Sequence, residues 1–363
     1  MPTPTPPGQR IGVVVPTYRA ADYIAGCLES LVASGHDLRI VVVDNASPDR
    51  TDQAVLDWAS GRVPFAPPAD WPLPPAMPVA KPLSLGLAED PQAAEAVVTL
   101  LRSPVNGGFA HAVNAGLRLL MQDDSIAWFW VLNPDTVVEP QTPAALARKA
   151  ASMERFAVIG SRALYYANPA RIQADAGCLH PLAFTGVSLN QGALAAETAM
   201  PDPATVQYIP GVSMLVSRAF IAEAGLMDER YFLYYEEIDW QLRRGSLPLA
   251  FEPEARVLHR AGASIGSGSV DRAASPLSVY FMCRNLLPFV ARWSPWRLPF
   301  AYAMAWAKLV RHWRGSPERL EAFLRGLHGF APPSALRRQL PPEAWTARLR
   351  DLARPELRSG FSG

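Results

Sequence analysis

Two stretches decide the fold: Ile11-Gly12-Val13-Val14-Val15-Pro16-Thr17-Tyr18-Arg19, and Leu38-Arg39-Ile40-Val41-Val42-Val43-Asp44-Asn45. Each opens with a short, nearly all-apolar β-branched run. Such a run predicts a strand buried on both faces, the environment of a parallel sheet. Between them, residues 20–33 set Tyr23, Ile24, Cys27, Leu28, Leu31 and Val32 on one face of a helix. Residues 51–59 predict a second helix after the turn Ser47-Pro48-Asp49. Strand, helix, strand, helix from the first residues is the signature of an α/β sheet with right-handed crossovers.

Working outward, further strands are predicted at 96–101, 126–132, 157–160, 213–216, 249–252 and 256–258. Helices are predicted at 108–121, 143–153, 218–224 and 236–244. From Ser275 onward the pattern is helical only. Residues 62–82 break the alternation with eight prolines, which exclude regular structure. They read as a surface insertion, more simply a loop without a role than a docking site. Residues 162–207 read as loop-rich and resist ordering. The organisation expected is a flexible N-terminus (1–10), a catalytic domain (11–271) carrying the insertion at 62–82, and a basic, aromatic helical region (272–363).

Composition narrows the class. The 363 residues are 49% hydrophobic and 18% charged, which is globular rather than disordered. Cys27, Cys178 and Cys283 stand far apart, so neither a disulfide framework nor a zinc ribbon is expected. The first ten residues have no apolar core of a signal peptide, and the run 298–310 is too short to span a bilayer. A cytoplasmic protein is expected, peripheral at the inner face of the plasma membrane if it touches one. The net charge of +1 hides an asymmetry: from Arg272 onward 15 basic residues face 5 acidic ones, a net of +10. That block also holds five of the ten tryptophans, which suggests an anionic surface. Within it, Phe300, Trp306, Val310 and Trp313 among Arg311 and Arg314 suit a helix lying at a membrane interface. The plainer alternative is a helix packed on the catalytic domain.

In an open α/β sheet, ligands bind beyond the carboxyl ends of the strands. All four early strand ends carry polar or glycine residues: Pro16–Arg19, Asp44 with Asn45 and Ser47, Asn106-Gly107-Gly108, and Asn133-Pro134-Asp135. A carboxylate at Asp44 accepts hydrogen bonds only. It suits N3–H of uracil or thymine and rejects cytosine, or else it serves a turn. Asn106-Gly107-Gly108 lacks the G-x-G-x-x-G spacing, which disfavours a nicotinamide dehydrogenase. Asp135 is a single carboxylate suited to a hard cation shared with phosphate oxygens. Tyr234-Tyr235-Glu236-Glu237-Ile238-Asp239 is an acidic cluster at a helix start, either favouring the helix dipole or supplying a general base. His259 ends a short strand.

Six segments in order carry a resemblance: V-V-V-P-T-Y at 13–18, V-D-N-A-S-P-D at 43–49, N-G-G-F-A-H-A-V-N-A-G at 106–116, L-N-P-D-T at 132–136, G-L-M-D-E-R-Y-F-L-Y-Y-E-E-I-D-W at 225–240, and V-L-H at 257–259. Over about residues 11–290 the chain resembles the family 2 glycosyltransferases of GT-A fold, in particular the rhamnosyltransferase-like branch of bacterial surface-polysaccharide synthesis. The resemblance implies an α/β fold with a mostly parallel central sheet and a C-terminal helical extension. It implies an inverting, metal-dependent transferase using a UDP- or dTDP-sugar, dTDP-rhamnose among them, and a saccharide or lipid-linked acceptor, with no nucleic acid as partner. Pro16, Thr17, Tyr18, Arg19 and Asp44 would hold the nucleoside, and Asn106, Gly107, Asn114 and Asn133 would line the donor pocket. Asp135 would bind the metal (Mn2+ or Mg2+), with His259 as second ligand. Glu237 stands where the family usually has its catalytic Asp, and Asp239 is the other candidate base. Gly211, Glu236 and Arg284 would face the acceptor, Arg284 within Y-x-x-x-R-N at 280–285. Two departures stand out: Asn133 replaces the first Asp of the D-x-D pattern, and Glu237 is one methylene longer than Asp. Two other readings compete, a catalytically inactive nucleotide-sugar-binding module and a sugar-nucleotide nucleotidyltransferase. The latter needs a Gly-rich basic loop, and Pro16–Arg19 offers one Arg and no Gly.

Overall fold

The computed structural model describes residues 10–74, 78–90, 96–260, 274–312, 315–338 and 340–346. The chain begins with β1 (Arg10–Thr17), α1 (Ile24–Ala33), β2 (Leu38–Asp44) and α2 (Thr51–Ser60). The next elements are β3 (Leu85–Leu87), β4 (Val98–Arg102), α3 (Gly108–Leu120), β5 (Ile126–Leu132), β6 (Thr136–Val138) and α4 (Thr142–Ala151). Then come β7 (Val158–Tyr165), β8 (Asn168–Ala174), β9 (Gly177–Leu179), β10 (Gly186–Ser188), β11 (Ser213–Ser217), α5 (Arg218–Ala224), α6 (Glu236–Leu242) and β12 (Leu249–His259). The C-terminal part is helical: α7 (Pro276–Trp293), α8 (Leu298–His312), α9 (Pro317–Leu327), α10 (Ser334–Arg337) and α11 (Glu343–Thr346).

The main sheet runs β3-β4-β2-β1-β5-β11-β7-β12-β6, with β8 paired to β7. β1 pairs in parallel with β2 and β5, β2 with β4, and β12 with β7; β11 is antiparallel between β5 and β7. The unbroken apolar runs follow from burial on both faces. Val13, Val15, Ile40 and Val42 pack with Leu28, Leu31 and Trp58, whereas Val14, Val41 and Val43 pack with Val113, Leu117 and Phe129. Gly116 lets α3 approach the second face, since a Cβ there would lie 2.5 Å from Val14 Cγ1. α7 and α9 close on each other through Gly326, whose Cβ would meet the Tyr280 carbonyl at 2.4 Å.

Several boundaries differ from the sequence expectation. The two short strands expected at 249–252 and 256–258 are one strand, β12, with a register shift between Glu252 and Arg256. β3 and β6, three residues each, carry too little pattern to be read. The unordered stretch 162–207 holds the end of β7, then β8, β9 and β10. The expected flexible N-terminus lies outside the described residues except for Arg10, which is in β1.

The proline-rich insertion is irregular but anchored. Glu29, buried in α1, accepts from Trp58 Nε1 at 2.8 Å, Val79 N at 2.7 Å and Lys81 Nζ at 2.8 Å. Lys81 also sits over the Trp58 ring. Further along, Trp71 and Leu73 pack on Val137, Tyr166 and Leu258, and Asp70 pairs with Arg260 at 3.1 Å. Glu29→Ala strands a largely buried ammonium. The expected loss is about 3–5 kcal/mol of unfolding free energy in urea titration, the usual cost of removing one partner from a buried pair. A wild-type midpoint in that variant would show that Lys81 is already solvated.

Candidate functional site

The carboxyl ends of β1 and β5, the start of α3 and the loop before α6 converge on one cleft of about 730 Å³. Pro16, Thr17, Tyr18 and Arg19 form one wall, and Asn133, Pro134, Asp135 and His259 another. Asn106, Gly211, Glu236 and Glu237 complete the expected set on its surface. Asp44, Gly107, Asn114, Asp239 and Arg284 are not on the wall.

The nucleotide side is built from interlocked turns. Thr17 Oγ1 donates to Val43 O at 3.1 Å and Asn45 N to Thr17 O at 3.0 Å, joining the ends of β1 and β2. Asn45, noted from the sequence at its strand end but given no role there, donates from Nδ2 to Asn106 Oδ1 and to Gly108 O, each at 3.0 Å, and accepts from Gly107 N at 3.1 Å. Gly108 has φ +87°, and a Cβ there would lie 2.1 Å from Phe232 O, so only glycine fits. Asp44 is buried at the end of β2 and accepts from Ser47 N at 3.4 Å. Burial raises its carboxyl pKa, an effect partly offset by Ser47. Asn114 is fully engaged, accepting from Met227 N and donating to Met227 O and Glu229. Its geometry is that of a pin between α3 and the segment after α5.

At the opposite wall, Asp135 Oδ1 lies 3.1 Å from His259 Nε2. Asn133 Nδ2 is 3.4 Å from the same nitrogen. His259 Nδ1 lies 2.7 Å from Oε1 of Gln173, in β8. Nδ1–H donating to that oxygen leaves Nε2 with its lone pair directed at Asn133 and Asp135. Gln173 also lines the cleft and was not singled out from the sequence. Its partner is 86 residues away in the chain, so no local spacing could have marked it. An imidazole lone pair beside a carboxylate oxygen is a donor pair suited to a divalent cation that completes its shell with phosphate oxygens. Among the described residues, no cluster of three or more His, Cys, Asp or Glu could hold an ion by itself.

The third wall carries the acids. Tyr231–Tyr235 forms a tight loop with φ of 61° at Phe232, 69° at Tyr234 and 74° at Tyr235. Such left-handed residues persist only when their surroundings hold them. Asn285 of α7 does so, donating from Nδ2 to the carbonyls of Tyr231 (2.8 Å), Leu233 (2.8 Å) and Tyr234 (3.0 Å). Phe109 N donates to Phe232 O at 2.8 Å from the other side. Out of this loop, α6 presents Glu236 and Glu237 to the cleft. Burial raises both carboxyl pKa values, and at Glu236 the neighbouring Glu237 adds to the rise. Neither Oε2 has a hydrogen-bond partner among the described residues. Asp239, by contrast, is fully buried. It accepts from Tyr231 Oη (3.2 Å), Trp293 Nε1 (2.8 Å) and Arg243 Nε (3.2 Å), with Arg292 Nε at 3.4 Å. Arg284 is buried as well, donating to Arg230 O and Asn285 Oδ1, and burial lowers its pKa to about 10. The structure therefore brings Glu237, not Asp239, to the cleft, and uses Asn285 rather than Arg284 to shape it.

Residues 12–66 match the sequence profile described as Glycosyl transferase family 2. The N-acetylglucosaminyl-diphospho-decaprenol L-rhamnosyltransferase of Mycobacterium tuberculosis is 27% identical over 327 residues, which is 82% of this chain and 90% of that protein. Among solved structures, GalNAc-T7 with UDP, GalNAc and Mn2+ superposes with a TM-score of 0.50 at 14% identity, covering 89% of this chain and 55% of that one. The mannosyltransferase PcManGT of Pyrobaculum calidifontis, in complex with GDP-Man and Mn2+, has a TM-score of 0.45 at 16% identity, covering 94% of this chain and 84% of its own.

Proposed function

We propose that this chain is a family 2 glycosyltransferase of the GT-A fold and an inverting enzyme. It moves a sugar, rhamnose by preference, from a UDP- or dTDP-sugar to a saccharide carried on a lipid diphosphate. The reading of rhamnose and of a lipid-linked acceptor rests on the similarity to the mycobacterial rhamnosyltransferase. The observation that carries the mechanism is Glu237, which lines the same cleft as Asp135 and His259 and whose buried Oε2 has no hydrogen-bond partner among the described residues.

Thr17 and Tyr18 line the side that takes the base; Asp44, in register with Thr17 but set behind the wall, would accept its N3–H, and Asn45 holds the Asn106–Gly108 turn that closes the donor site. Asp135 and His259 would hold a divalent cation, Mn2+ or Mg2+, which neutralises charge on a diphosphate leaving group as a Lewis acid. Gln173 orients His259. Glu237 takes the proton of an acceptor hydroxyl while that oxygen forms its bond to the anomeric carbon. The bond to the diphosphate breaks on the opposite face, which inverts the configuration. Desolvation keeps the carboxylate basic enough to accept the proton. Glu236 and Gly211 border the acceptor. The catalytic unit would be residues 11–271, with 272–363 serving the acceptor side.

Thermal denaturation with UDP, dTDP, GDP and CDP, with and without Mn2+, tests the donor reading. UDP or dTDP is expected to stabilise the chain in the presence of Mn2+, by about 2.7 kcal/mol at a hundredfold excess over Kd. Equal stabilisation by CDP would remove Asp44 from base recognition. Formation of a rhamnosylated lipid-diphosphate product tests the reaction itself.

A further inference from the structure

α8 carries few polar side chains. Its buried side consists of Ala301 and Ala305, with Leu298 and Leu309 packed against the cluster of Phe289, Val290 and Phe323. Trp306, which the sequence reading set at a membrane, turns to the same cluster and meets Phe323 edge-on at 5.1 Å. The expected companions Trp313 and Arg314 lie outside the described residues. The opposite side nevertheless is apolar too. Phe300, Ala303, Ala307 and Val310 follow one another at helical spacing, with Trp296 in the turn just before the helix, and all five are exposed, Trp296 at 62% and Val310 at 76%. A surface helix of a soluble domain carries its charges on this side. Instead, Lys308 and Arg311 are the only two charged residues of α8, both basic.

The charge around the stripe selects what covers it. Between Asp271 and Glu318 there is no acidic residue, while α8 and the turn before it carry Arg297, Lys308 and Arg311; Arg284 and Arg292 of α7 are turned inward. A second copy laid on the stripe would bring like charge against like. The residues after 346 carry four arginines against two acids and meet the same obstacle. An anionic bilayer answers both features, apolar depth for the stripe and negative headgroups for the basic segment. Trp296, stacked under the Arg297 guanidinium at 4.6 Å, has the form of an interfacial anchor.

We infer that the Phe300–Ala303–Ala307–Val310 face of α8, together with Trp296 in the turn before it, is a membrane-docking surface for anionic lipid. The inference stands on this surface alone and does not depend on the assignment of the catalytic cleft. Flotation of the full chain with phosphatidylcholine vesicles, with and without phosphatidylglycerol, tests it. Binding is expected only with phosphatidylglycerol, with a blue shift of tryptophan fluorescence and a decline as salt rises. The double variant Ala303→Glu/Ala307→Glu keeps good helix formers at exposed positions, so its melting temperature should match wild type. It is expected to bind about 30-fold more weakly, a factor of about five for each charge brought to the anionic surface. Equal flotation of wild type and variant would overturn the inference, as would no flotation with phosphatidylglycerol. A wild-type dimer in light scattering that the variant dissociates would assign the face to a second copy instead.

Discussion

Glu237→Gln is expected to lower kcat for sugar transfer by about 10²–10⁴-fold while UDP or dTDP affinity stays unchanged. The amide preserves size and hydrogen-bonding reach but cannot take a proton. Because burial raises the Glu237 pKa, the wild-type kcat/KM should climb with pH as the carboxyl ionises, and fall away on the acid side. The variant's residual rate should lose that limb. Loss of nucleotide affinity along with turnover would mean that Glu237 supports the cleft structurally. Stability should move the other way with pH. Between the ordinary and the raised pKa the folded chain keeps a proton that the unfolded chain has released, so unfolding free energy declines as pH rises. Glu236→Gln removes one such buried acid and should raise the melting temperature at neutral pH relative to wild type.

The second large effect concerns the opposite wall. Asp135→Asn and His259→Ala should each reduce turnover on the order of a thousandfold, the rate equivalent of several kcal/mol of lost charge stabilisation. Each should also abolish the Mn2+ dependence of nucleotide binding. Gln173→Ala should be milder, with Mn2+ affinity down about 10–100-fold, as is typical when the partner that orients a histidine ligand is removed. Gln173→Glu keeps an oxygen facing His259 Nδ1 and should retain affinity. Electron paramagnetic resonance of free Mn2+ measures these affinities without turnover. Unchanged affinity in both Asp135 and His259 variants would dismiss the metal reading altogether. Unchanged affinity in Gln173→Ala alone would dismiss only the orienting role.

The sheet was legible because its strands are covered on both sides, so Val13–Val15 and Ile40–Val43 carry an uninterrupted apolar signal. The strand ends that line the cleft were legible for the same reason, since polar residues there interrupt an otherwise apolar pattern. β3, β6 and the β8–β10 region escaped because they are short or exposed, and periodicity needs both length and burial to show. Among site residues, local sequence could not separate Glu237 from Asp239. Two residues along a helix differ by about 200° in direction, and only packing decides which side faces solvent. Trp293 and Arg292 of α7 occupy the Asp239 side, which leaves Glu237 toward the cleft. Gln173 was hidden, and Asn285 was quoted within Y-x-x-x-R-N without its role, because each acts on a segment far away in the chain.

The position of His259 is a matter of counting residues. β12 lies in register with Tyr165 of β7 on one side and Thr136 of β6 on the other, and His259 is its last residue. Side chains alternate between the two faces of a strand, so losing one residue between Arg256 and Leu258 would turn the imidazole to the wrong face. The irregularity between Glu252 and Arg256 is different, because the pairing there has already slipped. Extra or missing residues could be taken up at that point while the histidine end of the strand stays aligned. Among length variants of this chain, changes at 253–255 should survive in active enzymes, and changes at 256–258 should not.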